Sequence, residues 1–76
     1  MNKIEAIILW IIKENISYLM EDKNLKMDEA MNIFYNSSLY EKLQVTETGL
    51  YLEGAAYVYE FLKDELSEVA WLNIYL

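Results

Sequence analysis

The sequence predicts an all-α fold, a small bundle of three to four helices arranged around a central N-terminal helix. Three observations predict it. Between Ile4 and Met20 the apolar residues recur at i, i+3, i+4 and i+7, with no glycine or proline to interrupt them. Two later segments, Met27–Tyr35 and Ala55–Leu66, carry apolar stripes of the same period. The stretch with strand character, Val45–Leu52, is short and has no second strand to pair with.

In the first helix, Ile4, Ile7, Ile8, Ile11, Ile12 and Leu19 share one broad face, and Lys13, Glu14, Ser17 and Glu21 fall opposite. Its isoleucines lower intrinsic helix propensity, so burial must stabilise it. Asn15 lies within the apolar stripe and is expected to be a core amide bonded to nearby backbone. Trp10 lies off the stripe and is either covered by the C-terminal segment or held out for a partner. Asn24 is a plausible C-terminal cap.

The second helix, Met27–Tyr35, places Met27, Ala30, Met31 and Phe34 on one face. Asp28 and Glu29 oppose the positive end of its dipole. Ser38 followed by Glu41 fits a capping box, which opens a third helix of two turns or less carrying Leu39 and Leu43. Gln44–Glu53 reads mostly as loop. Gly54 starts the last helix, with Ala55, Val58, Tyr59, Leu62, Leu66 and Val69 as its stripe. An apolar tail begins at about residue 69 and extends the helix, forms a short strand, or docks across Trp10. The expected core is Ile7, Ile8, Ile11, Ile12, Leu19, Phe34, Leu39, Leu43, Val58, Leu62 and Leu66.

Residues 1–76 form a single domain, short enough that one core gives limited stability. The chain has no cysteine, so neither a disulfide nor a thiolate metal site can reinforce it. Six lysines against thirteen acidic residues give a net charge of -7. That balance argues against nucleic acid and against anionic membrane surfaces, both of which require a basic face. The longest apolar run, Ala6–Ile12, is far short of a bilayer span, and no export signal is recognisable, so the cytoplasm is the expected location.

Catalytic residue types are scarce. Histidine, cysteine and arginine are all absent, which removes imidazole bases, thiol nucleophiles and arginine clamps. Ser37 and Ser38 have no base beside them and read as caps. The spacing of the second and third helices also fits a DNA-reading motif, but Lys42 is their main basic residue and a plain helical corner explains the spacing. Glu60, Asp64, Glu65 and Glu68 cluster by helical spacing. They read as a solvated face rather than a hard-cation site. No catalytic residue, metal ligand or cofactor is expected. Trp10, Tyr57, Trp71 and Tyr75 are the aromatic residues hardest to bury in one layer, and they are the candidate protein interface.

The segments IILWIIKENISYLMEDKNL, DEAMNIFYNSSLYEKL and TGLYLEGAAYVYEFLKDEL resemble a group of short bacterial proteins of unknown function. The similarity spans about residues 7–66 and centres on Phe34-Tyr35-Asn36-Ser37 and Leu50-Tyr51-Leu52-Glu53. Such proteins are often encoded beside ADP-ribosyltransferase-like proteins. The resemblance therefore implies an accessory or antitoxin-like binding role and carries over no catalytic residues.

The expected function is a non-catalytic protein-interaction module whose partner is another protein. The alternative is a small carboxylate and tyrosine enzyme dependent on a divalent cation. A homodimer is expected, because an exposed Trp10 and an apolar tail together exceed the patch a monomer usually shows.

Overall fold

The computed structural model describes the backbone of residues 2–75 and the side chains of residues 2–67. It is all-α: α1 (Lys3–Lys23), α2 (Met27–Tyr35), α3 (Ser38–Gln44) and α4 (Ala55–Tyr75), with two single 3-10 turns, Thr46–Thr48 and Leu50–Leu52, between α3 and α4. There is no strand among the described residues.

Each helix has an identifiable start or stop. The Asn2 side chain accepts from the Glu5 N–H at 2.8 Å and caps α1. At the other end Asn24 takes the left-handed conformation, φ 53°, and its N–H bonds the Met20 carbonyl, as its sequence position predicts. At the start of α2 the Glu29 carboxylate accepts from the Lys26 N–H at 2.9 Å. The cap of α3 lies one residue earlier than the capping-box reading places it. Ser37 is the N-cap and its Oγ accepts from the Tyr40 N–H at 3.2 Å. Ser38 is therefore the first helical residue, and its N–H finds a partner in a different helix. Gly54, at φ 87°, turns the chain into α4.

The 3-10 turns replace any extended form of Leu50–Leu52. Gly49 at φ 68° separates them, a conformation that suits glycine. Thr48 bonds the carbonyls of Lys42 and Val45 through its hydroxyl, so the connection is pinned locally rather than paired as a strand.

The core lies where α1, α2, α3 and α4 meet. Ile11, Leu19, Phe34, Leu43, Val58 and Leu62 are fully buried, and Ile12 and Leu39 nearly so. Burying each such side chain contributes about 1.5–3 kcal/mol relative to leaving it in water. Ile8 and Leu66 are half-buried at the margin. Ile7, expected in the core, is instead 39% exposed. α4 approaches α1 through Ala55 beside Asn15, two turns further along, so the Ile7 side of α1 precedes that contact. Ala30, Ala55 and Tyr59 complete the core.

Asn15 joins the two long helices. Its Nδ2 donates to the Ile11 carbonyl at 2.9 Å and to the Ala55 carbonyl at 3.2 Å, which fulfils the expected backbone pairing. Its Oδ1 is buried without a hydrogen-bond partner. Near the C-terminal end of α1, the Tyr18 and Tyr59 rings meet at 5.0 Å and the Tyr59 hydroxyl donates to Asp22 at 2.7 Å. Burial, then the bond to Asp22, pushes the Tyr59 phenol well above its ordinary pKa.

α4 continues as helix through the segment expected to be a tail. Neither glycine nor proline interrupts the chain between Ala55 and Tyr75.

Candidate interaction surfaces

The four aromatic residues proposed as an interface divide into two described and two undescribed. Trp10 is 53% exposed and Tyr57 is 50% exposed. The side chains of Trp71 and Tyr75 lie outside the described residues. Trp10 follows Leu9 and precedes buried Ile11 on α1, so it turns about 100° from each around the helix axis. Tyr57 packs edge-on against Phe61 at 5.1 Å, one turn along the outer face of α4. Trp10 stacks on no other ring among the described residues. The two described candidates are thus both exposed, but no described ring contact joins them.

A larger surface lies on the neighbouring side of α1. Met27 and Met31, which share a helical face with Ala30 and Phe34, are exposed. Ala30 and Phe34 are the buried residues beneath α2, with Ile33 half-buried against the core beside them, and the two methionines sit at its edge, facing Met20 and Ile16 of α1 across an open cavity of about 270 Å³. A second cavity, of about 610 Å³, continues toward the N-terminal end of α1, where Ile4 and Ile8 face Tyr40 and Gln44 of α3. Leu9, Ile12 and Tyr35 line both. The two therefore adjoin, and together they form an apolar groove region following α1 from Ile4 to Met20, about 24 Å at helical rise.

The groove's rigidity comes from below and its adaptability from its walls. Ile12 is 5% exposed and belongs to the core, so the floor is fixed. Tyr35 and Tyr40 meet edge-on at 4.9 Å and fix the junction of α2 and α3, with Gln44 Nε2 donating to the Tyr40 hydroxyl at 2.8 Å. Met20, Met27 and Met31 are unbranched and polarizable, able to repack around different shapes. Sequence reasoning missed this surface because it assigned each helix a single apolar stripe. The signal was present in Leu9, Ile16 and Met20, which lie at helical spacing beside the main stripe.

A third cavity, of about 420 Å³, lies between α3 and α4. It is framed by Lys42, Asp64 and Glu65. Glu65 is already committed, because its two carboxylate oxygens accept from the Ser38 and Leu39 N–H groups at 2.9 and 3.0 Å. Glu60 pairs with Lys63 at 2.9 Å, and that hydrogen bond raises the Lys63 pKa. The acidic face of α4 is thus partly engaged in structural pairs, and no group of three acidic side chains among the described residues is placed to hold one metal ion. Among the described residues no helix is long and apolar enough to cross a membrane.

No protein-family model, curated protein or solved structure matches this chain.

Proposed function

We propose that this protein is a non-catalytic protein-interaction module, acting in the cytoplasm as an accessory or antitoxin-like partner of another protein. The observation that carries this reading is the open apolar groove along α1, built on a fixed floor and lined by methionine and tyrosine. An exposed apolar groove of this length costs solvation free energy in a monomer and repays it on binding. The resemblance to short bacterial proteins encoded beside ADP-ribosyltransferase-like proteins supports an accessory role. The module is also proposed to pair with itself through the Trp10 side of α1, where an exposed indole stands away from the groove.

The test is photo-crosslinking in the producing cell, with a photoreactive phenylalanine placed at Leu9, at Trp10, and at Lys63 as a reference. Discrete adducts from Leu9 or Trp10, absent from Lys63, are expected. Loss of adducts at both positions, together with tight calorimetric binding of magnesium, manganese or calcium, would replace this reading with a cation-dependent enzyme.

A further inference from the structure

We infer that the Trp10 face of α1 docks on the same face of a second copy, the two helices running antiparallel, with Trp10 of each chain against Ile7 of the other and Lys3 of each against Glu14 of the other. This rests on the self-pairing proposed above and gives it a direction and a register.

The face has the spacing of a helix-pairing seam. Lys3, Ile7, Trp10 and Glu14 follow one another at intervals of four, three and four residues, the alternation of the a and d positions of a heptad. At 100° per residue they fall within about 60° of one another around the helix axis. Lys3, Ile7 and Trp10 are exposed and Glu14 is half-buried. α4 reaches α1 further along, where the Ala55 carbonyl accepts from Asn15, and leaves this stretch open. Neither Ile7 nor Trp10 lines the groove, so the two surfaces are separate.

The order of residues makes the seam complementary to itself. A cation opens it, two large apolar side chains follow, and an anion closes it. A two-fold axis between residues 8 and 9 sets Ile7 against Trp10 twice and Lys3 against Glu14 twice, as an isologous contact requires. A parallel pair would instead set Lys3 against Lys3 and Glu14 against Glu14, so charge selects the antiparallel direction. The one ion pair among the described residues joins Glu60 to Lys63, which leaves Lys3 and Glu14 unpaired within the chain. The indole lies at the centre of the seam, where interface tryptophans contribute most.

Charge also favours this helix over the others as the meeting point of two acidic chains. α1 holds Lys3, Lys13 and Lys23 against Glu5, Glu14, Glu21 and Asp22, so nearly all of the net -7 lies on the rest of the chain.

The experiment uses the full chain at high micromolar concentration and physiological salt, where light scattering should give twice the chain mass. Lys3→Glu sets like charges opposite each other at both ends of the seam, and so does Glu14→Lys; each should weaken dimerisation about tenfold. The two variants mixed in equal amounts oppose unlike charges at both ends and should form a heterodimer. The double variant, Lys3→Glu with Glu14→Lys, should dimerise as the parent does. Circular dichroism melts establish that each variant is folded. Direction is read from a nitroxide on Ser17→Cys, the sole cysteine in the labelled chain. Antiparallel helices in this register hold the two labelled positions about 25 Å apart along the axis, whereas parallel helices hold them about 10 Å apart. A monomeric parent, single variants that dimerise as the parent does, a mixture that stays monomeric, or labels about 10 Å apart would each overturn the inference. If the parent is monomeric while Leu9 adducts persist in cells, the interaction module stands and only its self-pairing fails. If Leu9 adducts are missing while the mixture restores the dimer, the pairing stands and the groove reading fails.

Discussion

Asn15 and Tyr59 are the two polar side chains on which the contact between α1 and α4 depends. With Nδ2 donating to two carbonyls, the orientation of the Asn15 amide is fixed, because the flipped amide would aim an oxygen at both. The cost is the orphaned Oδ1. Asn15→Leu removes that orphan at similar volume, and its stability by chemical denaturation should lie within about 1 kcal/mol of the parent. Asn15→Asp places a carboxylate against carbonyl oxygens with no donor, and should cost at least about 3 kcal/mol at neutral pH. Tyr59 gives a pH signature. Its phenol is raised by burial, then by Asp22, so the folded state holds a proton that the unfolded chain releases above about pH 10. The contribution is complete below that pH and is lost as pH rises through the folded value. Tyr59→Phe should flatten the alkaline loss of stability; an unchanged alkaline limb would show that Tyr59 is not its source.

At the scale of elements, α3 is the piece least able to stand alone. Its seven residues are too few for a stable isolated helix. Ser37 satisfies one N–H at its start, and Glu65 reaches from α4 to satisfy two more. Glu65→Ala should therefore cost about 1–3 kcal/mol and loosen α3, read as faster amide exchange at Ser38 and Leu39. Leu62, fully buried in α4, should cost about 2–5 kcal/mol when changed to Ala. The helices themselves were legible in the sequence. The bounds of α2, the Asn24 cap and the stripe of α4 from Ala55 to Leu66 follow from local spacing and capping chemistry; Val69, also expected on that stripe, lies outside the residues whose side chains are described. The Ser37 cap and the Glu65 bridge were not, because serine neighbours compete for one cap and a carboxylate 27 residues away leaves no local trace. Ile7 failed for a related reason. Periodicity says which residues share a face, but not how far along that face the next helix reaches.

For the whole molecule, what sequence could not supply was the arrangement of surfaces. Trp10 and Tyr57 are hard to bury in one layer on sequence grounds, with Trp10 either covered by the C-terminal segment or held out, and both are exposed. The groove required knowing that α2 buries Ala30 and Phe34 and leaves Met27 and Met31 at the rim. Self-pairing through Trp10 also belongs to this scale. Light scattering should give twice the chain mass at high micromolar concentration and physiological salt, and Trp10→Ser should return it to the monomer mass. A monomer at that concentration would rule the pairing out. The claim on which the account turns is that the groove along α1 is the working surface. The most direct measurement is the methyl spectrum of methionine-labelled protein, titrated with the partner that crosslinking at Leu9 captures. Met20, Met27 and Met31 line the smaller half of the groove or its rim, so their resonances should move together and saturate with the binding curve. If they stay fixed while the Trp10 indole signal shifts, the working surface is the other side of α1 and the account is wrong.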